Sequence, residues 1–248
     1  MRVHPVPVDG EGLRTSDLAR TPARAVVVGA AHQFPTGAAL SSERRAQLVR
    51  WARDVDGYVV EDDYDAEFRY DREPVGCLQG LAPDVVALVG SVSKALAPAL
   101  RLGWLAAPAT WRQATAEEKF VADHGGPALE QLAFAELLAS GGYDRHLRRA
   151  RRAHRQRRDA VVAAVRTYLP DARISGVAAG LHLVVEQPAG VDDGALVDAA
   201  RARGLGPLAL SRLRQRAGGK PGVVLGYAAH SPHELTEAVR VMGRLAVG

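Results

Sequence analysis

An α/β fold built on a mostly parallel sheet is predicted by three observations. Short β-branched runs recur along the first half: Ala25-Val-Val-Val-Gly29, Gly57-Tyr-Val-Val-Glu61 and Val85–Gly90 read as strands, and Leu102–Ala106 as a fourth. Between the first two lies a helical stretch that Ser41 or Ser42 caps and that runs to about Asp54, with Leu48, Val49 and Ala52 on an apolar face. Polar residues gather just past the strands, as Asp62-Asp63-Tyr64-Asp65 and Ser91-Val-Ser-Lys94. Strand, helix, strand with polar strand ends is the pattern of a parallel sheet, whose ligands bind at the carboxyl ends of the strands.

The remaining elements follow in order. Val3 to Val8 alternates and meets a turn at Asp9-Gly10, and Leu13 and Leu18 suit a short helix. His32-Gln-Phe-Pro-Thr-Gly37 is a turn by its Pro and Gly. From Thr110 the texture is helical, with an apolar helix over Ala128–Ser140 that Gly141-Gly142 stops. A long helix follows from about Asp144 to Leu169, basic from Arg145 to Arg158 and apolar from Ala160 to Val165. Gly180–Glu186 and Gly222–Ala228 read as strands, Asp192–Arg203 as a helix, and Pro232 opens a last helix reaching Ala246. The expected organisation is a large domain over 1–143, a joining helix over 144–169, and a small α+β domain over 170–248.

The totals exclude several classes. The chain has 248 residues, 47% of them hydrophobic, enough for one large or two small domains. Its single cysteine, Cys77, leaves no internal disulfide framework and fits a reducing, cytoplasmic setting. Cys77 itself reads as a small buried apolar residue. No secretory leader opens the chain and no run reaches transmembrane length, so a soluble protein is expected. The net charge of +4 is too mild to imply nucleic acid. The arginines of the basic helix spread around it without interleaved aromatics, as on a solvated helix between domains.

Lys94 carries the most informative chemistry. A lysine amine forms a Schiff base with a carbonyl, and the flanking Ser91, Ser93 and Arg101 suit a phosphate. Together they read as a cradle for an anionic carbonyl cofactor. Asp62, at the end of the neighbouring strand, adds a carboxylate. A magnesium site at Asp62, Asp63 and Asp65 is the rival reading; no glycine-rich phosphate loop accompanies it. Asp63 and Asp65 otherwise read as supporting or solvated groups, and His32 as a structural hydrogen-bonding residue of its turn.

Three blocks carry a family resemblance: His32-Gln-Phe-Pro-Thr-Gly37, Val60-Glu-Asp-Asp-Tyr-Asp-Ala-Glu-Phe-Arg-Tyr70 and Ser91-Val-Ser-Lys-Ala-Leu-Ala-Pro-Ala-Leu-Arg-Leu-Gly103. With the weaker Ala179-Gly-Leu-His-Leu183 and Leu225-Gly-Tyr-Ala228, nearly the whole chain resembles the aminotransferase-like domain of fold-type I pyridoxal-phosphate proteins. It is most similar to the MocR group of GntR-family bacterial regulators. The resemblance implies a partial fold-type I domain, a mostly parallel sheet with helices on both faces, plus a small C-terminal α+β domain. It implies that Lys94 is the Schiff-base lysine, that Asp62 pairs with the ring nitrogen of pyridoxal 5'-phosphate, and that Tyr64 hydrogen-bonds the ring hydroxyl. Ser91, Ser93 and Arg101 would bind the phosphate. No metal is implied.

The sequence also departs from the family pattern. Related aminotransferases place Asn before Pro-Thr-Gly, where this chain has Phe34. Many carry a substrate-clamping arginine at the position of Val224, a role open here to Arg212, Arg214 or Arg216. The match begins within the domain and lacks the winged-helix region, so direct DNA binding is not expected. A truncated or split product that needs a partner is expected, because removing strands exposes ladder groups and apolar side chains. The function implied is the effector-sensing part, or a remnant, of a MocR-type regulator, taking an amino acid or amine and forming a dimer with itself or a full-length relative. An active amino-acid aminotransferase and a non-catalytic dimerisation fragment are the alternatives.

Overall fold

The computed structural model describes residues 2–70, 76–216 and 218–246. The described residues form ten strands and seven α-helices, which divide into two compact units. The first comprises Met1–Gln33, Ala39–Glu67 and Glu73–Ala150; the second comprises Phe34–Ala38, Phe68–Arg72 and Arg151–Gly248.

The first unit opens with a two-residue hairpin, β1 (Val8–Asp9) and β2 (Gly12–Leu13), around the turn at Asp9-Gly10. Leu13 therefore lies in a strand, and only Leu18 sits on the short helix α1 (Thr15–Leu18). The principal sheet has the order β3-β4-β5-β6, formed by Ala25–Val28, Tyr58–Asp63, Val86–Ser91 and Gly103–Ala106. The first three strands are parallel, and β6 is an antiparallel edge. Helix α2 (Ser42–Asp54) begins at Ser41, whose hydroxyl accepts the Arg44 N–H, so Ser41 is the cap.

Strand periodicity sorts this sheet into two faces. Val26, Val28, Val59, Glu61 and Val86 point to one face and are buried. There they join Leu48, Trp51 and Ala52 of α2 in the core of the unit. Val27, Val60, Asp62, Ala87, Val89 and Leu105 lie on the other face by register. That face stands open at Val27 (69% exposed), Leu105 and Val89. Gly90 is required where it stands, because a Cβ there would lie 2.2 Å from the Trp104 indole.

Helices α3 (Arg112–Asp123) and α4 (Ala128–Ala139) bury none of their residues. Leu129, Leu132 and Leu138 of α4 and Phe120 and Val121 of α3 are exposed. Helix α5 (Gly142–Tyr168) is continuous across the division between the units.

The second unit holds an antiparallel sheet in the order β7-β8-β10-β9, formed by Arg173–Ser175, His182–Glu186, Gly222–Gly226 and Leu208–Ala209. Its two central strands are buried along four consecutive residues each, so both faces are covered. Helix α6 (Asp193–Arg201) packs on β9, β10 and α7 (Pro232–Ala246). Leu196, Val197, Val239 and Met242 enter the core from these helices. Among the described residues no helix is long and apolar enough to cross a membrane.

Candidate functional site

Strands β4 and β5 position the polar residues. Asp62 pairs in register with Val89, and Ser91 lies two residues further along β5. Asp62 and Ser91 therefore share the open face, about 8 Å apart between Cα atoms by strand spacing and rise. Lys94, Ser93 and Arg101 lie in the connection from β5 to β6. Val92 and Ala95 are buried and anchor that connection, which leaves Lys94 exposed.

The Ser91 hydroxyl donates to the Leu102 carbonyl (3.3 Å) and accepts from the Ser93 N–H (3.1 Å). These bonds tie the start of the connection to its end. Arg101 takes a left-handed conformation (φ 51°) after the single turn Pro98–Leu100. A non-glycine residue is uncommon there, and such strain collects at binding sites. The guanidinium of Arg101 is exposed. Two hydroxyls, an ammonium and a guanidinium in one connection form a donor set for an anion.

The carboxylates beyond β4 differ from one another. Partial burial and the negative charge of Asp65 push the Asp62 carboxyl above its usual range. Burial pushes Asp63 up to about 6 against the Ala66 N–H that favours its charge; Glu67, Glu61 and Asp65 add to the rise. Asp63 accepts the Ala66 N–H at 3.2 Å, so it is a local turn cap. Asp65 is 2% exposed and accepts a hydrogen bond from His32 Nδ1 at 2.8 Å. It is a buried partner, which corrects the solvated alternative. His32 is buried, with its ring nitrogen bonded to Asp65. The Tyr64 phenol lies 3.4 Å from His32 Nδ1 and is held up by burial first, then by the negative charges of Asp65 and Asp62.

Two buried charged residues have no local sequence signal. Glu61 accepts the N–H groups of Leu78 (2.9 Å) and Gln79 (3.0 Å). Arg45 donates to the carbonyls of Leu40, Gly76 and Ala30. Both settle backbone groups that would otherwise be buried unpaired. Cys77 is half-buried, not fully buried, beside this loop.

In the second unit the arginines named for a substrate clamp are largely committed. Arg212 makes a two-point contact with Asp198 (2.6 and 2.8 Å). Arg214 donates to the carbonyls of Gly218 and Lys220. Arg216 is exposed, and Val224 is buried in β10 opposite Val184. Phe34 packs edge-on against His182, with ring centroids 5.2 Å apart. Arg155 and Arg157 of α5 donate to the carbonyls of Tyr70 and Ala228, so part of the basic helix is bound to protein.

The family model for aminotransferase class I and II matches residues 7–196. The pyridoxine biosynthesis transcriptional regulator PdxR of Corynebacterium glutamicum is 34% identical over 93% of this chain and 50% of its own length. The probable rhizopine catabolism regulatory protein MocR of Rhizobium meliloti is 32% identical over 95% of this chain and 48% of its own. The chain thus spans about half the length of these relatives. LysN, the α-aminoadipate aminotransferase of Thermus thermophilus, solved with N-(5'-phosphopyridoxyl)-L-leucine, is 27% identical with a TM-score of 0.88. The match covers 98% of this chain and 64% of LysN. An archaeal alanine:glyoxylate aminotransferase shares the fold with a TM-score of 0.91 at 23% identity over 98% of this chain and 63% of its own. The chain belongs to the aminotransferase class I and II family and is a pyridoxal-phosphate aminotransferase-like domain with MocR-type regulators among its relatives.

Proposed function

We propose that this chain is the effector-sensing domain, or a remnant of it, of a MocR-type regulator working in the cytoplasm, and that its β4–β5 strand ends hold pyridoxal phosphate. The observation that carries this reading is the placement of Asp62 and Ser91 on one face of adjacent strands, with Lys94 just beyond. The residues fit the cofactor. A raised carboxyl such as Asp62 gains from a cation set against it, which a protonated ring nitrogen provides. Ser91, Ser93 and Arg101 are donors suited to the phosphate, and the exposed Lys94 amine is a nucleophile for the carbonyl. When bound, pyridoxal phosphate supplies an electrophilic carbonyl and an electron-withdrawing ring. Asp62 would hold the proton on the ring nitrogen, and Tyr64 would meet the ring hydroxyl.

The effector class is an amino acid or amine, whose amino group competes for the carbonyl that Lys94 takes. The working form is a dimer, with a second copy or a full-length relative, and this chain makes no direct contact with DNA. Turnover as an aminotransferase is the second reading. It is disfavoured by the buried Val224 and by the commitment of Arg212 and Arg214 to other partners, which leaves Arg216, among the described residues, as the one clamp candidate of the three not so committed.

A titration with pyridoxal phosphate tests the reading. The chain is expected to develop a visible absorbance band that borohydride bleaches and that Lys94→Ala lacks. No band in the wild type, or the same band in Lys94→Ala, contradicts it. Amino acids added one at a time are expected to shift the band without accumulation of pyridoxamine phosphate. Such accumulation would favour the aminotransferase.

A further inference from the structure

The connection that carries Lys94 contains a single α-turn. Leu96 donates its N–H to the Val92 carbonyl (2.8 Å), Val92 donates to the Leu102 carbonyl (3.2 Å), and Ala97 returns to extended backbone. One turn closed by one bond does not support itself, because it fixes several residues for little return. Groups outside the turn must hold it. The buried side chains of Val92 and Ala95 do so, and Ser91 holds the near end through the Ser93 N–H. The Ala95 carbonyl lies at the far end, where a helical turn leaves its carbonyls without internal donors.

His146 of α5 supplies the donor. Its Nε2 lies 2.8 Å from the Ala95 oxygen. A carbonyl only accepts, so Nε2 carries the proton. The neutral Nε2–H tautomer and the imidazolium both donate, so the bond does not depend on the charge of the ring. The start of α5 is set for this contact. Tyr143, His146 and Leu147 share one helix face at i, i+3 and i+4, and Tyr143 and Leu147 are buried. The Tyr143 ring packs edge-on against Phe134, and its hydroxyl donates to Glu67 (3.4 Å), five residues beyond Asp62. The first turns of α5 therefore tie to the segment after β4 through Tyr143 and to the Lys94 connection through His146.

We infer that His146 is a positioning residue for Lys94: its bond to the Ala95 carbonyl fixes the backbone from which the lysine amine reaches the cofactor carbonyl. This rests on the cofactor reading above and extends it to a residue outside the strand-end set. The amine links to the carbonyl carbon with loss of one water, and only when it arrives at close range and in the right direction. A displaced backbone weakens that link although the amine is intact. The phosphate end of the site is held independently. Ser91 belongs to β5 and is bonded to Leu102, and Arg101 stands beyond the Pro98–Leu100 turn.

The test compares His146→Leu, which removes the donor and keeps bulk, with His146→Gln, which restores an N–H at similar reach. In the ligand-free chain the Leu96 amide reports on the turn around Lys94. Its exchange should speed up about three- to tenfold in His146→Leu, the factor set by one net hydrogen bond, and return to within about twofold of wild type in His146→Gln. The loaded arm uses pyridoxal phosphate and pyridoxine 5'-phosphate, which has the same ring and phosphate with an alcohol in place of the carbonyl. His146→Leu should weaken pyridoxal phosphate about three- to tenfold and leave pyridoxine phosphate within about twofold, and His146→Gln should recover the loss. Equal weakening of both ligands overturns the inference, because His146 would then serve the fold at large. So does a Leu96 amide that neither variant moves, or a glutamine variant as impaired as the leucine one. If His146→Leu does not fold, His146→Asn, polar but too short to reach, takes its place. Nitrogen-15 spectra of the wild type then add a direct check: the neutral ring should carry its proton on Nε2, and a bare Nε2 contradicts the bond. A wild type that shows the Leu96 response but no link at Lys94 overturns the cofactor reading and the role given to the lysine, while the hold of His146 on the connection stands.

Discussion

The two sheets of this chain are built on opposite terms. The antiparallel sheet of the second unit is covered on both faces along β8 and β10. The β3-β4-β5-β6 sheet is covered by α2 on one face and stands open on the other at Val27, Val89 and Leu105. That is the reverse of the usual rule, since antiparallel sheets tolerate a wet face and parallel ones are covered on both. The open face also carries Asp62 and Ser91, and the same unit contains α4, apolar but for Glu130, Gln131 and Glu136, with no buried residue. A helix so rich in apolar residues gains by burying them. The first unit therefore has a sequence suited to more covering layers than the described residues provide, and the candidate site sits at that uncovered surface.

Hydrogen exchange tests the contrast most strongly. Amides of β8 and β10 are expected to exchange about 100-fold more slowly than those of β3 and β6, which are the edges of the first sheet. Equal protection would mean that the open sheet is covered in solution. Substitutions sharpen the same point. Asp193→Ala should cost about 2 kcal/mol, because it strands the buried N–H of Gly222 (2.8 Å) and frees the part-buried N–H of Ser211 (3.1 Å). Val185→Ala, at a residue 0% exposed, should cost about 2 kcal/mol in urea unfolding. Val27→Lys on the open face should stay within about 0.5 kcal/mol. A loss at Val27 as large as that at Val185 would contradict the open face.

A pH dependence is also expected in the first unit. The Asp63 carboxyl is raised from 3.8 to about 6, so the folded chain binds more protons than the unfolded chain between those values. Stability therefore falls as pH rises through that window. Asp63→Asn removes the fall and keeps an acceptor for the Ala66 N–H. The gain near neutral pH should be about 1 kcal/mol after discounting for partial solvent screening, and it should vanish below about pH 4. An equal gain at both pH values would show that the charge of Asp63 is not the cause.

Local signals made much of this legible. A serine cap at Ser41 or Ser42, the β-branched runs of β3, β4 and β5 and the opening of α7 at Pro232 need only neighbouring residues, and the structure places each within a residue or two of its expected bounds. Local signals fail where distant residues decide. Nothing local marks β6 as antiparallel to β5, and β7 and β9 are too short to alternate. Glu61 and Arg45 are charged residues buried because loops far along the chain bring backbone groups to them. Ala25-Val-Val-Val28 reads as a buried run, yet Val27 is 69% exposed, since a continuous apolar run states what a strand tolerates and not what covers it. At the site, Lys94, Asp62, Tyr64 and Ser91 are legible as a motif, whereas the buried pairing of His32 with Asp65 and the approach of Tyr64 to His32 require the fold.

The central claim is that Lys94 takes the cofactor. Borohydride reduction of the chain with pyridoxal phosphate, followed by proteolysis and mass spectrometry, tests it most directly. The account predicts one phosphopyridoxyl group per chain, on the peptide that contains Lys94. Label spread over Lys119 and Lys220 with no preference for Lys94, or no label at all, would contradict it.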